Sequence, residues 1–337
     1  MLEHGGNLQE AARRFARPVS DWLDLSTGIN PRFYAVPALS NNAWHRLPEK
    51  MSALTDAAQD FYGAPTMLAV AGTQAAIQAL PRLRLQNMGM AQVVVAAPSY
   101  AEHAYQWRQN GHQVQECAYV LLETMVATAD VLVVCNPNNP TGECIAAKTL
   151  LHWAGQMAER GAWLVVDEAF ADTTDGLSVV HASAQPGLIV LRSLGKFFGL
   201  AGLRIGFVAA QADLLHQLEN MLGPWSISGP AQEIACAALQ DTAWQIQTRQ
   251  HLQCQGARLQ TLLQSHGVTS TGTALFQWCS DAALQGQTEQ LWRHLAEQGI
   301  WVRLFREAAR GLRFGLPPDE AGWQKLTLAL NSWAKNR

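Results

Sequence analysis

The chain has 337 residues, 48% of them hydrophobic, and carries 24 Lys and Arg against 27 Asp and Glu, for a formal net charge of -3. That length and apolar content can bury a large core, and they fit one big domain with a smaller one better than a single unit. The absence of a Lys/Arg cluster argues against nucleic acid as a partner, no apolar run approaches membrane-spanning length, and the acidic start Met1-Leu2-Glu3-His4 is not a signal peptide, so the cytoplasm is the expected location.

In chain order, the first feature is His4-Gly5-Gly6-Asn7, where a Gly-Gly pair can turn its backbone N–H groups toward an anion and the flanking side chains add donors. Short β-branched runs then alternate with helical stretches, the pattern of a largely parallel sheet with crossover helices. The clearest strands are Gln92 to Ala97, Val131 to Cys135, Trp163 to Val166, Leu188 to Leu191 and Ile205 to Ala209, with covering helices over Ala146 to Arg160 and Ala212 to Leu222. After about Gly229 the pattern changes to one long helix, Ala231 to His266, a strand-rich tail, and a closing helix from Asp319 to Ala334. The six cysteines form no Cys-x-x-Cys pair and the ten histidines show no ligand spacing, so neither disulfides nor a metal are expected. Trp44, Trp107, Trp153, Trp163, Trp278 and Trp292 are expected in cores or interfaces, and Trp225 is a candidate pocket wall.

In an open parallel sheet the chemistry sits on the loops beyond the carboxyl ends of the strands. Gly72-Thr73-Gln74 opens a helix and can offer N–H groups and the positive dipole end to a phosphate; Tyr100, leaving a strand, can lie on a heteroaromatic ring. Asn136-Pro137-Asn138-Asn139-Pro140-Thr141-Gly142 clusters three amides directly after a strand. Asp167 follows four apolar strand residues, where a carboxylate needs a partner such as a protonated pyridine nitrogen. Ser193-Leu194-Gly195-Lys196 matches the Ser-x-x-Lys of penicillin-binding enzymes, but the chain lacks their Ser-Asp-Asn and Lys-Thr-Gly, so a serine nucleophile is a poor reading.

Together these motifs, in content and in order, resemble fold-type I pyridoxal phosphate (PLP) enzymes of the aspartate aminotransferase superfamily, in particular the histidinol-phosphate aminotransferase branch. The resemblance implies an α/β fold, a doubly wound, mostly parallel sheet with a smaller α+β domain. It divides the chain into an N-terminal substrate arm with part of the small domain (1–39), a large cofactor domain (40–229) and a small C-terminal domain (230–337). It implies that Lys196 carries the cofactor covalently and is catalytic with Asp167, which pairs with the ring nitrogen. Asn139 would bond the phenolic oxygen, Tyr100 would stack on the ring, and Gly72, Thr73, Gln74, Ser193 and Arg204 would hold the cofactor phosphate. Arg313 would bind the substrate carboxylate, as bidentate geometry suits.

The His4-Gly5-Gly6-Asn7 start is similar to that of the cobalamin-pathway L-threonine-O-3-phosphate decarboxylases, whose arm folds over the substrate phosphate. Phe170 stands where the transaminase branch usually has a tyrosine, and Arg303 matches an arginine that both branches use for a substrate phosphate. Ser26-Thr27-Gly28-Ile29-Asn30-Pro31 resembles the family's substrate entry segment, with Gly28 and Asn30 near the carboxylate. The implied activity is decarboxylation of O-phospho-L-threonine to 1-aminopropan-2-ol phosphate by a homodimer, with a histidinol-phosphate-type aminotransferase or a non-catalytic PLP-binding subunit as alternatives. One departure is Arg46-Leu47-Pro48-Glu49, where the family commonly places a tyrosine that reaches the cofactor phosphate across a dimer interface; Leu47 cannot donate that bond.

Overall fold

The computed structural model describes residues 5–307 and 309–335, so His4 of the expected substrate arm lies outside the described residues. The strands are β1 (Leu23–Leu25), β2 (Met67–Val70), β3 (Gln92–Ala97), β4 (Gln113–Ala118), β5 (Val131–Cys135), β6 (Trp163–Asp167), β7 (Leu188–Ser193), β8 (Gly206–Ala209), β9 (Thr271–Thr273), β10 (Phe276–Ser280), β11 (Ile300–Phe305) and β12 (Gly311–Gly315). The chain divides into two compact units, the larger formed by Phe33–Asn139 and Glu143–Gln247, the smaller by Met1–Arg32, Pro140–Gly142 and Thr248–Arg337.

The sheet of the larger unit has seven strands in the order β2-β8-β7-β6-β5-β3-β4. The strands from β3 through β7 pair in parallel, and β8 runs antiparallel to both of its neighbours. β5 reads Val-Leu-Val-Val-Cys with every residue buried, the unbroken run that a parallel strand covered on both faces requires. On one face Val131, Val133, Val165, Ile189 and Val208 pack against Ala76, Ile77, Leu80 and Leu83 of the helix Thr73–Met88. Each such Val, Leu or Ile contributes roughly 1.5–3 kcal/mol through burial.

This topology gathers the chemistry on one edge. β3, β5, β6 and β7 end there at Ala97, Cys135, Asp167 and Ser193, while the reversed β8 begins there at Gly206, whose register partners are Ser193 and Val70.

The smaller unit holds a five-stranded sheet, β1-β11-β12-β10-β9, in which only β1 and β11 pair in parallel. Phe15, Trp22, Trp292 and Trp301 form an aromatic cluster in this unit, with ring centroids 5.2 to 6.2 Å apart.

The expected helix Ala231 to His266 is two helices, Gly229–Gln240 and Thr242–Ser265. Asp241 separates them with a non-helical ψ of 75°, and its Oδ1 accepts the Trp244 N–H at 3.0 Å, so a residue that reads as tolerable mid-helix caps a new one instead. The resemblance implies boundaries at 39 and 229, and the compact units divide after Arg32 and after Gln247, with Pro140–Gly142 joining the smaller unit. Contacts within the larger unit account for this. Tyr34 meets Trp244 edge-on at 5.2 Å and donates its N–H to the Phe198 carbonyl, and Gln232 accepts the Met51 N–H at 3.0 Å.

Candidate active site

One pocket of the larger unit is lined by Gly72, Thr73, Gln74, Tyr100, Asn139, Asp167, Ser193, Lys196 and Arg204, which include every residue expected to hold a cofactor. At one end the helix Thr73–Met88 begins with Gly72 in the N-cap position, and no side chain caps it. Gly72 has φ +73°, a backbone conformation that favours glycine, and a Cβ there would stand 2.7 Å from Arg204 Nη2, so a side chain would push the guanidinium aside. Gly206 leaves the same kind of room: its Cβ would lie 2.9 Å from the Thr73 nitrogen. Ser193 Oγ accepts the Gly195 N–H at 3.2 Å, and Arg204, itself left-handed at φ 55°, donates to the Ala201 carbonyl at 3.0 Å. A helix N-terminus, a hydroxyl and a guanidinium converge here, a donor set suited to a phosphate dianion.

Deeper in, Asp167 is buried at the end of β6, and its Oδ2 lies 2.9 Å from His103 Nε2. Burial alone would lower the imidazole pKa, but Cys135 and the bonded Asp167 outweigh it and lift His103 from 6.5 to about 10. The second carboxylate oxygen of Asp167 accepts the Ala169 N–H at 3.1 Å. Tyr100 donates to Gln74 Oε1 at 3.2 Å, and Gln74 Nε2 donates to Glu102 at 2.8 Å, so the amide side chain of Gln74 orients the tyrosine and its place beside the phosphate donors is that of its backbone. Burial, then Glu102, Asp167 and Cys135, raise the Tyr100 phenol to about 12 against the pull of Arg204, which keeps it a neutral donor at physiological pH. Lys196 Nζ stands 5.3 Å from the centre of the Phe170 ring.

The three amides after β5 divide their tasks. Asn136 clips the loop shut by exchanging hydrogen bonds with both backbone groups of Ile145, Asn138 donates to the Pro98 carbonyl at 2.8 Å, and Asn139 lines the pocket. Sequence reasoning did not find His103 or Cys135. With Asp167 they place three potential metal ligands within 4.8 Å of one another.

In the smaller unit, Arg303 on β11 and Arg313 on β12 are register partners. Arg313 is buried and donates to the Ser26 carbonyl at 2.8 Å; burial and the like charge of Arg303 hold its guanidinium down to about 10 against the pull of Asp24. Ser26 Oγ in turn donates to Asp24 at 2.7 Å and accepts the Gly6 N–H at 2.7 Å, and a Cβ on Gly5 would meet the Ser26 carbonyl at 2.5 Å. The Gly5-Gly6 backbone therefore lies directly on Ser26, whose carbonyl accepts from Arg313. Asn7, expected as a phosphate donor, uses its side chain to cap the helix Leu8–Phe15, accepting from Glu10 N at 3.2 Å and donating to the Glu10 carboxylate at 3.0 Å. Gly28 and Asn30 are both buried, and Asn30 Oδ1 accepts the Arg32 N–H at 2.9 Å. Trp225 is 60% exposed and lines a different groove of the larger unit, with Pro48 and Ile227, rather than the cofactor pocket. Leu47 is 65% exposed, and Trp44, expected to pack, is 70% exposed.

The pocket residues fit pyridoxal 5′-phosphate. A cradle cleared of Cβ atoms meets the phosphate donors at one end, a buried carboxylate backed by an imidazole can meet the ring nitrogen, and a lysine lines the same pocket.

This is the fold of the type I PLP-dependent transferases, and the chain belongs to the class I and II aminotransferase family, whose family model matches residues 21–326. Within that family it is 49% identical to the threonine-phosphate decarboxylase of Pseudomonas aeruginosa over 331 residues, covering 98% of this chain and 97% of that one. It is 42% identical to the threonine-phosphate decarboxylase of a Sinorhizobium species, again covering 98% of this chain and 97% of the relative. In structure it resembles the histidinol-phosphate aminotransferase of Sinorhizobium meliloti in complex with pyridoxal-5′-phosphate, with a TM-score of 0.82 at 20% identity, covering 99% of this chain and 96% of that one.

Proposed function

We propose that this chain is a PLP-dependent lyase that decarboxylates O-phospho-L-threonine to 1-aminopropan-2-ol phosphate. The observation that carries the reading is the register pair Arg303 and Arg313, in a chain 49% identical over nearly its full length to a threonine-phosphate decarboxylase. Two adjacent cations, one of them buried, suit a substrate with two anionic groups, a carboxylate and a phosphate. In this reading Arg313 takes the carboxylate, and Arg303 takes the phosphate together with the Gly5 N–H, while the Gly6 N–H holds the arm to Ser26 Oγ. Gly28 and Asn30 complete the carboxylate end.

Bound PLP supplies an electron sink for the pair of electrons left at Cα when the carboxylate departs as carbon dioxide. Lys196 would hold the cofactor covalently, and its free amine would be the group placed to return a proton to Cα. Asp167, backed by His103, holds the proton at the ring nitrogen. Asn139 would bond the phenolic oxygen, Tyr100 would lie against the ring, and the N–H groups of Thr73 and Gln74 would join Ser193 and Arg204 on the phosphate. Phe170 offers no hydroxyl beside Lys196. Arg303, by binding the phosphate far from Cα, would orient the substrate, so remote binding energy would favour loss of the carboxylate over proton removal.

The reading extends to a place in cobalamin biosynthesis, to a cytoplasmic location and to a homodimer. No helix among the described residues is long and apolar enough to cross a membrane. The test is to incubate purified protein with PLP and O-phospho-L-threonine, without a keto acid, and to follow carbon dioxide, amine product and cofactor spectrum together. Catalytic carbon dioxide with aminopropanol phosphate is the expected result. Conversion of the cofactor to its pyridoxamine form without carbon dioxide would make the protein an aminotransferase.

A further inference from the structure

Behind the cofactor residues lies a second charged cluster that the proposed reaction does not use. Successive side chains on a strand point to opposite faces, so where Asp167 and Ser193 line the pocket, their chain neighbours Glu168 and Arg192 turn away from it. Glu168, Arg192 and Asp172 are 1%, 5% and 6% exposed. Arg192 Nη1 donates to Glu168 Oε2 at 2.5 Å, and Nη2 donates to Asp172 Oδ1. The guanidinium lies 4.5 Å from the centre of the Tyr62 ring. Glu168 accepts from Val179 N at 2.7 Å and from Ser178 Oγ at 2.5 Å, and its own N–H bonds the Leu191 carbonyl at 2.9 Å.

As a stabiliser such a cluster is inefficient, because desolvating three charges offsets most of their attraction and well-packed apolar residues often serve as well. Its location suggests a different task. We infer that Glu168, Arg192 and Asp172 form a positioning device for the cofactor: the cluster ties the ends of β6 and β7 together on their far side and so fixes the separation of Asp167 and Ser193. PLP is a rigid ring with its nitrogen and phosphate at set positions, and groups that grip both ends must be held to a fraction of an ångström. The guanidinium suits this because its planar fork engages both carboxylates in one geometry, which a lysine cannot do. This inference rests on the proposed cofactor roles of Asp167 and Ser193.

The decisive variant replaces the whole cluster at once, Glu168→Leu, Asp172→Val and Arg192→Met, so that no uncompensated charge is left buried. Urea unfolding of the apoprotein should give a midpoint at or above that of the wild type. The Kd for PLP, measured by quenching of tryptophan fluorescence, should weaken by roughly tenfold, in the range found when groups that orient a ligand's direct contacts are removed. The visible circular dichroism of the bound cofactor should fall as the ring loses its single orientation. A folded triple variant with wild-type Kd and unchanged dichroism would overturn the inference. If the triple variant does not fold, Arg192→Lys decides alone: it keeps the charge but not the fork, and unchanged Kd and dichroism in that variant would overturn the inference equally. Wild-type protein that fails to bind PLP would sink the proposed function as well, whereas wild-type protein that binds PLP and decarboxylates beside unaltered variants would sink the positioning role only.

Discussion

The cofactor pocket and the paired-arginine site handle buried charge in opposite ways. Beside the pocket buried charges lie against charges of opposite sign: His103 meets Asp167, and Arg192 lies between Glu168 and Asp172. On β11 and β12 two cations are register partners, and burial with this repulsion lowers the Arg313 pKa to about 10. The first arrangement sets opposite charges together and suits the holding of a resident group. The second sets two like charges side by side, and the anionic groups of an arriving ligand would ease their repulsion, which suits a ligand that must bind, react and leave.

The largest expected effect tests the resident half of that contrast. Lys196→Ala should leave the far-ultraviolet circular dichroism unchanged and lower kcat for phosphothreonine decarboxylation by more than about 10⁴-fold, since both covalent attachment and proton return are lost; product formation within a factor of ten of wild type would move the chemistry elsewhere. Next is the transient half. Arg313→Met should lower kcat/KM by about 100-fold or more, as expected for removing one partner of a buried charged contact. Arg303→Met should act mainly on KM and should raise the pKa of Arg313 toward its ordinary value, because the like charge is gone. Equal, small effects from both variants would erase the distinction between the two regions.

The smallest effect concerns His103. Its folded pKa is raised from 6.5 to about 10, so its contribution to stability is complete below about pH 6.5 and is lost as pH rises toward 10. The apoprotein Tm should therefore decline across that window, and His103→Asn should flatten the decline. An unchanged slope in the variant would show that His103 does not carry the charge assigned to it.

Legibility in the sequence followed the same division between local and distant partners. β3, β5, β6, β7 and β8 could be read because apolar runs of strand length covered on both faces have few alternatives, and Asp167 and Lys196 could be read because they sit just beyond such runs. His103 escaped notice because its partner lies 64 residues away and nothing in its own helix marks one. Arg192, Glu168 and Asp172 escaped for the same reason: each looks like an ordinary charged residue beside a strand until β6 and β7 are paired. Asn7 shows the converse case. A polar side chain beside a Gly-Gly pair suggests a ligand contact, but it also precedes a helix, and the capping bond took it.

The reversed direction of β8 has a consequence for the length of the chain around Lys196. Ser193 and Gly206 are register partners, so residues 194–205 form a segment whose two ends are stitched side by side to the same sheet. Lys196 and Arg204 both belong to it, one near each end. An insertion or deletion between Ser193 and Lys196 would turn the lysine away from the pocket, and one between Arg204 and Gly206 would drag the arginine off Gly72. Drift in length, tolerated on most protein surfaces, should be all but forbidden at these two ends of the segment.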